Sequence, residues 1–145
     1  MSDRALLDVR NLHAGYGRIP ILHGIDLTLK RGEFVAMIGQ SGSGKSTLLN
    51  QIGLLDKPTA GEMFITGHAT EHLHDRERTM LRAKAIGFVF QSHHLLPEFT
   101  AIENVMLPLL AAKGRPDASM RARAAELIDQ VGLSDVANNM SNNLS

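Results

Sequence analysis

The clearest chemical motif in the sequence is a short run rich in glycine and serine that ends in lysine and serine. It follows an apolar segment, residues 34–38, and leads into a segment whose leucines have helical spacing. The run consists of Gly39, Gln40, Ser41, Gly42, Ser43, Gly44, Lys45 and Ser46. It matches the full pattern of a phosphate-binding loop, and the strand, loop and helix that the pattern requires follow in order. The sequence therefore predicts a site for nucleotide phosphates.

Each residue type in this phosphate loop has a physical role. Glycine lets the backbone wrap around phosphates, so that the N–H groups from Gly42 to Thr47 can point inward as an anion nest. The N-terminus of the following helix adds partial positive charge. Lys45 can reach the β- and γ-phosphates, and the Ser46 hydroxyl can ligate a Mg²⁺ ion that bridges them. The motif alone does not distinguish a kinase, a GTPase and a transporter subunit.

The amino-acid composition disfavours some classes of binding partner. The 145 residues include 15 basic and 15 acidic side chains and no cysteine. Balanced charge gives no overall field that would attract nucleic acid or anionic lipid, and the lack of cysteine excludes disulfides. The longest apolar stretch, residues 105–112, contains Pro108 and is far shorter than the roughly 20 residues that span a bilayer. We expect no nucleic-acid partner and no direct membrane insertion.

Hydrophobic periodicity predicts the elements that surround the phosphate loop. Residues 6–12 and 19–29 alternate like half-buried strands and are separated by a turn, which predicts an antiparallel hairpin. Residues 34–38 are apolar on both faces, as in a central strand covered on both sides. The remaining predicted elements are strands over 62–66 and 86–90 and helices over 45–53, 75–84, 101–113 and 116–131. Asp75 is the predicted N-cap of its helix, and Pro108 is expected to bend or break another.

Further motifs make the chain resemble a known family. They are Tyr16, Leu54-Leu55-Asp56, residues 58–62 and Phe88-Val89-Phe90-Gln91. Together with the phosphate loop, their order and spacing resemble the first half of the nucleotide-binding domain of an ABC ATPase. Residues 93–105 also resemble the lipoprotein-releasing and macrolide-exporter type of bacterial subunit. The resemblance implies an α/β P-loop NTPase fold, with an antiparallel β part over 1–33, part of a parallel core over 34–91 and a partial helical subdomain over 92–145.

The same resemblance implies roles for two residues outside the phosphate loop. In the family, an aromatic residue at the position of Tyr16 stacks on the adenine ring, and a ring between Gly15 and Gly17 can lie flat against such a base. A glutamine at the position of Gln91 contacts Mg²⁺ and the attacking water and relays the nucleotide state. A neutral amide suits both contacts, because one end accepts or ligates while the other donates. ATP and Mg²⁺ are the expected ligands.

Partners are also implied by the resemblance. A membrane-spanning transporter subunit is expected to dock on residues 92–106, where Leu95, Leu96 and Phe99 are apolar side chains in a predicted loop. The alternative is that these three residues only cap the local helices. A homodimer of ATPase subunits is expected, held at the cytoplasmic face of the inner membrane by the partner. The expected whole-protein function is ATP-driven transport, with lipoprotein release or macrolide-type export as the first candidates.

The C-terminal residues bear on catalysis. Leu144-Ser145 resembles the first two residues of the family's Leu-Ser-Gly-Gly-Gln signature, and no two acidic residues are adjacent in the sequence. The family's Asp-Glu pair is therefore not contained in these residues, and we expect the 145-residue chain to bind nucleotide without hydrolysing it. A truncated product and part of a longer protein remain open, as do a non-catalytic nucleotide-binding fragment, an ABC protein of translation or DNA repair, and a small-molecule kinase.

Overall fold

The computed structural model describes residues 5–92 and 94–143. Three positions singled out from the sequence, His93, Leu144 and Ser145, lie outside the described residues. The chain divides into two compact units, residues 1–89 and residues 90–145. Each is described by itself.

The first unit contains a four-stranded antiparallel sheet. Its strands are β1 (Leu7–Tyr16), β2 (Ile19–Leu29), β3 (Ala60–Ile65) and β4 (His68–Ala69), in the order β2-β1-β3-β4. The predicted hairpin is confirmed, since β1 pairs antiparallel with β2 and Tyr16 lies opposite Ile19. β1 is longer than predicted, so that only Gly17 and Arg18 form the turn.

A β-bulge in β1 sets which of its side chains face the core. Leu7 and Val9 are buried, but the next buried residue is Leu12, and the pairing register shifts between Val9 and Leu12. Asn11 adopts a left-handed φ of 46° there, and its N–H donates to Asp26 Oδ1 at 2.8 Å. The extra residue changes the phase of the alternation, and so keeps Leu12 on the buried face.

Two helices complete the first unit, α1 (Lys45–Ile52) and α2 (Asp75–Ala85). The buried core joins the sheet to α1 and consists of Leu7, Val9, Leu12, Ala14, Leu22, Leu48, Leu54, Met63 and Ile65. The N-cap of α2 is His74, not Asp75 as predicted. Glu77 accepts the His74 N–H at 2.8 Å, which fixes the helix start one residue earlier, and Asp75 instead pairs with Lys57 at 3.0 Å.

The strands predicted over residues 34–38 and 86–90 are not formed in the described residues. Phe34 and Ile38 are each 94% exposed, and Val89 is fully exposed. A strand that is apolar on both faces needs a hydrogen-bonded neighbour, and the described sheet offers it no parallel partner. The composition is typical of a buried strand, but strand formation also requires a neighbouring chain segment.

The second unit is helical, with α3 (Ala101–Lys113), α4 (Ala118–Gln130) and two short 3-10 helices, Ser134–Val136 and Ser141–Asn143. α3 continues through Pro108, so of the bend or break predicted there the break does not occur, although proline lacks the N–H that would otherwise donate to the Asn104 carbonyl. The core packs α3 against α4 and contains Ile102, Ala124, Ile128 and Ala137. Among the described helices, none combines the length and apolarity needed to cross a bilayer.

Candidate functional site

The phosphate loop gets its shape from glycines that other residues could not replace without strain. Gly42 and Gly44 have left-handed φ values of 80° and 89°. A Cβ atom on Gly44 would also lie 2.9 Å from Leu22 Cδ2, too close for normal packing. Gly39 is similarly restricted, because its Cβ would lie 2.7 Å from Ser43 Oγ. The backbone of the loop therefore depends on glycine both for conformation and for space.

Lys45 is the first residue of α1, and its side chain folds back over the loop. Its Nζ donates to the carbonyl oxygens of Gly39 at 2.7 Å and Gln40 at 2.6 Å, and to Ser43 Oγ at 3.2 Å. The N–H groups of the first helical turn have no partner within the helix. An ammonium group and the positive end of a helix thus meet at one place, which suits an anionic ligand.

A cavity of about 340 Å³ lies against this loop and the N-terminus of α1. Its lining residues are Ile21, Ser41, Gly42, Gly44, Lys45, Ser46 and Thr47. Ser46 is exposed, so its hydroxyl is accessible, whereas Thr47 is buried. The predicted residues from 39 to 47 are therefore brought together in one loop and one helical turn.

Tyr16 lies at the end of β1 in the same unit. It is 53% exposed, and its hydroxyl donates to Asp56 Oδ2 at 3.1 Å. The same carboxylate oxygen accepts from Asn50 Nδ2 on α1 at 3.4 Å. The sequence indicates Asp56 only as part of the family motif Leu54-Leu55-Asp56 and does not predict its contact with Tyr16.

The backbone around Asp56 is held by two arginines of α2. Arg78, which is only 5% exposed, donates to the Asp56 carbonyl, and Arg82 donates to the Leu54 carbonyl at 3.0 Å. Burial lowers the pKa of the Arg78 guanidinium. Leu54 is buried with a left-handed φ of 56°. These contacts fix the segment 54–56 between α1 and α2.

Gln91 belongs to the other unit, where it begins the irregular segment that precedes α3. Its side chain is exposed. The structure thus assigns Gln91 and the phosphate loop to different units.

A single side chain organises the loop of residues 95–100 in the second unit. Asn104 Oδ1 accepts the Leu96 N–H at 2.9 Å. Its Nδ2 donates to the carbonyl oxygens of Leu96 at 3.1 Å, Phe99 at 3.3 Å and Thr100 at 3.0 Å. Leu96 is 44% exposed, while Leu95 and Phe99 are partly buried. The loop therefore presents an apolar side chain on a backbone that is firmly bonded.

Ser141 ties the same loop to a distant part of the chain. Its Oγ donates to the Leu96 carbonyl at 2.6 Å and its N–H to the Phe99 carbonyl at 3.1 Å. Neither Asn104 nor Ser141 was identified from the sequence. The start of α3 at residue 101 agrees with the prediction, and the capping box of Thr100 and Glu103 is a further local signal for it, because Thr-x-x-Glu before an apolar run is recognisable. Nothing comparable marks Asn104, whose partners depend on the folded loop.

Two carboxylates in this unit are held in their ionised form by helix-start hydrogen bonds. The N–H of Thr100 and then its hydroxyl lower the pKa of Glu103. Asp117 caps α4, and hydrogen bonds from the Ser119 hydroxyl, the Met120 N–H and Lys113 lower its pKa strongly. Both groups stabilise helix N-termini, where negative charge is favourable.

The glycine-rich loop, the lysine folded over it and the helix behind it have the sequence and the local geometry of a P-loop nucleotide-binding site. A family model described as ABC transporter matches residues 22–145. The chain belongs to the ABC transporter family.

Individual relatives agree with this assignment. The chain is 60% identical over 125 residues to the lipoprotein-releasing system ATP-binding protein LolD 1 of Rhodopseudomonas palustris, covering 86% of this chain and 55% of the relative. It is 46% identical over 145 residues to the pyoverdine export ATP-binding/permease protein PvdT of Pseudomonas fluorescens, covering 97% of this chain and 22% of that protein.

A solved structure extends the likeness to the fold. The dimeric, post-hydrolysis ATP-binding cassette MJ0796, bound to ADP and Pi, superposes with a TM-score of 0.84 at 43% identity. The alignment covers 96% of this chain and 63% of that one. The chain spans about half the length of the LolD relatives it matches. These comparisons confirm the expected family and the P-loop NTPase fold.

Proposed function

We propose that this chain forms the ATP-binding part of an ABC transporter ATPase. The observation that carries the proposal is the phosphate loop, where left-handed glycines, the Lys45 ammonium and the N-terminus of α1 converge. All of these groups donate hydrogen bonds or carry positive charge, so the ligand they fit is an anion with several oxygen acceptors.

Lys45 is proposed to bind the terminal phosphates. Its ammonium is already directed into the loop by three oxygen acceptors, and a phosphate oxygen offers a charged acceptor in place of neutral ones. The exposed Ser46 hydroxyl is proposed to hold Mg²⁺, which would offset the negative charge of the phosphates. The N–H groups from Gly42 to Thr47 would bind the remaining oxygens.

Two further residues, Tyr16 and Gln91, have proposed roles in the full-length protein. The half-exposed ring of Tyr16 is available to stack on adenine, and the exposed amide of Gln91 is proposed to contact Mg²⁺ and orient water in the assembled protein. Hydrolysis also needs groups that polarise water and compensate charge in the transition state. Because the 145 residues contain no adjacent acidic pair, we propose that they bind ATP but do not hydrolyse it.

The full-length protein is proposed to work as a homodimer that drives transport across the bacterial inner membrane from its cytoplasmic side. Lipoprotein release is the favoured process, because LolD proteins are prominent among the similar relatives. Pyoverdine-type or macrolide-type export is the second candidate, favoured by the likeness to the pyoverdine export protein PvdT over 97% of the chain. The proposed contact with the membrane subunit is the region 92–106. We also propose that the chain divides into an antiparallel β part over 1–33, a P-loop core part over 34–91 and a helical part over 92–145.

Nucleotide binding is tested by calorimetric titration of Mg-ATP into the full-length gene product. Lys45→Ala should weaken ATP binding about 10- to 100-fold, because it removes a charge-assisted contact. Lys84→Ala removes an equal charge from an exposed position of α2 and should leave the affinity unchanged. Unchanged affinity in Lys45→Ala would refute the site.

Docking is tested by co-purification with the membrane subunit. Leu96→Glu should abolish co-purification while ATP binding persists, because a charge replaces an exposed apolar side chain on the fixed 95–100 loop. Leu133→Glu is the matched control, since Leu133 is 52% exposed in the same unit. Equal loss in both variants, or retention in Leu96→Glu, would count against docking at this loop.

A further inference from the structure

The contact between Tyr16 and Asp56 joins the ring proposed to recognise the base to a fixed point behind the phosphate loop. The Tyr16 hydroxyl donates to Asp56 Oδ2 at 3.1 Å, across 40 positions of sequence. The ring itself is 53% exposed at the end of a hairpin strand. About half of the residue's surface is uncovered, so the hydroxyl contact adds to the partial packing that orients the ring.

Asp56 is well placed to act as such a fixed point. Asn50 on α1 donates to its carboxylate at 3.4 Å, and Arg78 on α2 donates to its backbone carbonyl. The preceding residues are held too, since the Leu55 N–H donates to the Asn50 carbonyl at 2.9 Å and Arg82 holds the Leu54 carbonyl at 3.0 Å. The carboxylate is thus attached on one side to the helix that begins at Lys45.

We propose that Asp56 is a positioning residue for base recognition: it holds the Tyr16 hydroxyl so that the ring is oriented for stacking before ATP binds. The inference rests on the proposed ATP-binding function. An oriented ring loses less rotational freedom on binding than a free one, so the hydrogen bond strengthens recognition of adenine without touching the nucleotide. Phosphate binding, which depends on residues 39–47, does not use this contact.

The experiment compares Mg-ATP with Mg-tripolyphosphate, a ligand that has the phosphates but no base, by calorimetry on the full-length gene product. Asp56→Ala, which leaves no side-chain acceptor for the hydroxyl, and Tyr16→Phe should each weaken ATP binding about two- to fivefold, the value of one ordinary hydrogen bond. Neither should change the affinity for tripolyphosphate. The double variant should be no weaker than either single variant, because both remove the same interaction.

The control is Asp75→Asn, which removes another carboxylate of the same unit, one that pairs with Lys57 and is itself 90% exposed. It should leave both ligands unaffected. Additive losses in the double variant, equal weakening of tripolyphosphate, or weakening of ATP by Asp75→Asn would each overturn the positioning role. If Asp56→Ala fails to fold, Tyr16→Phe still tests the same bond, because it leaves residues 54–56 intact.

The result also separates this inference from the proposed function. Tyr16→Ala should weaken ATP more than Tyr16→Phe does, because it removes the ring as well as the hydroxyl. Weakening of ATP binding by Tyr16→Ala but not by Tyr16→Phe or Asp56→Ala would overturn positioning and leave base stacking in place. Unchanged ATP binding in Lys45→Ala would remove the nucleotide site itself.

Discussion

The phosphate loop and the 95–100 loop are built in a similar way, although they belong to different units. In each, one side chain from the first turn of the following helix donates to several carbonyl oxygens of the loop. Lys45 reaches the carbonyls of Gly39 and Gln40, and Asn104 reaches those of Leu96, Phe99 and Thr100. The two loops differ in the chemistry of that side chain and in what else holds the backbone.

Lys45 is a cation with no acceptor of its own, so an anionic ligand can draw it away from neutral carbonyls. Its loop keeps its shape through left-handed glycines. Asn104 is neutral and both donates to and accepts from its loop, which also bonds to Ser141. The lysine of the phosphate loop can therefore exchange its carbonyl contacts for a ligand, whereas the asparagine holds the 95–100 loop as a fixed surface.

The largest expected effect on stability is at Asn104. Asn104→Ala should lower the free energy of unfolding of the 90–145 unit by about 2–3 kcal/mol, because it leaves the Leu96 N–H and several carbonyls without their partner. Asn104→Asp should cost at least as much, since it sets a carboxylate oxygen against those carbonyls. Hydrogen exchange of the α3 amides measures the change.

Two variants serve as references for this prediction. Asn142→Ala, at an exposed position of the same unit, should have no measurable effect on exchange. Lys45→Ala should cost the first unit less than about 0.5 kcal/mol, because surface substitutions away from buried networks change little. If Lys45→Ala lowered the free energy of unfolding as much as Asn104→Ala does, the proposed difference between the two loops would be wrong.

The next effect concerns the glycine conformation of the phosphate loop. Gly44→Ala should destabilise the first unit by about 1–3 kcal/mol, because the residue has a φ of 89° and the added Cβ meets Leu22. The same substitution should also lower the affinity for Mg-ATP, because Gly44 belongs to the proposed phosphate-binding loop. Gly67→Ala shares a left-handed φ, of 83°, but has open space around the Cβ, so it isolates the conformational part of the cost. Thermal unfolding measures the change in stability, and calorimetry measures the change in Mg-ATP affinity. If Gly44→Ala were as stable as the unsubstituted protein, the structural role proposed for this glycine would be wrong.

The smallest effect is the pH dependence that Glu103 contributes to the second unit. Hydrogen bonds from Thr100 lower its folded pKa below the usual 4.5. The stabilisation is therefore complete above about pH 4.5 and is lost as the pH falls through the lower folded pKa. Glu103→Gln should narrow the stability difference between neutral and acidic pH, measured by urea unfolding of both proteins across that range. An identical pH profile for the two proteins would show that the Thr100 contacts contribute nothing.

Local sequence predicted the elements whose bonds are internal to them or close in the chain. The hairpin of β1 and β2, the helix after Lys45 and the helices of the second unit follow from alternation, turn residues and helical spacing. The phosphate loop was equally predictable, because its pattern of glycine, lysine and serine is local and the flanking segments have the right character. Small errors at element ends, such as the choice of Asp75 over His74, arise because neighbouring residues compete for the same cap.

Contacts between distant segments were not predictable in the same way. The segment 34–38 has the composition of a buried strand, but a strand forms only when a neighbour supplies hydrogen bonds, and composition does not identify that neighbour. The bulge at Asn11 depends on the Asp26 carboxylate, which lies 15 positions away. The bonds from Asn104 need the loop to be folded first, so no periodicity or motif marks them.

By itself, the sequence determined the nucleotide-type chemistry of residues 39–46, the resemblance to ABC ATPases and the order of most elements, because these depend on residue types at short, fixed spacings. Tertiary structure alone decided that Tyr16 meets Asp56, that Arg78 and Arg82 hold the segment before Lys57, and that Ser141 closes on Leu96. Those contacts join positions 22 to 45 residues apart. Their formation depends on how the chain packs, since a polar side chain bonds to whatever acceptor the folded backbone brings within reach.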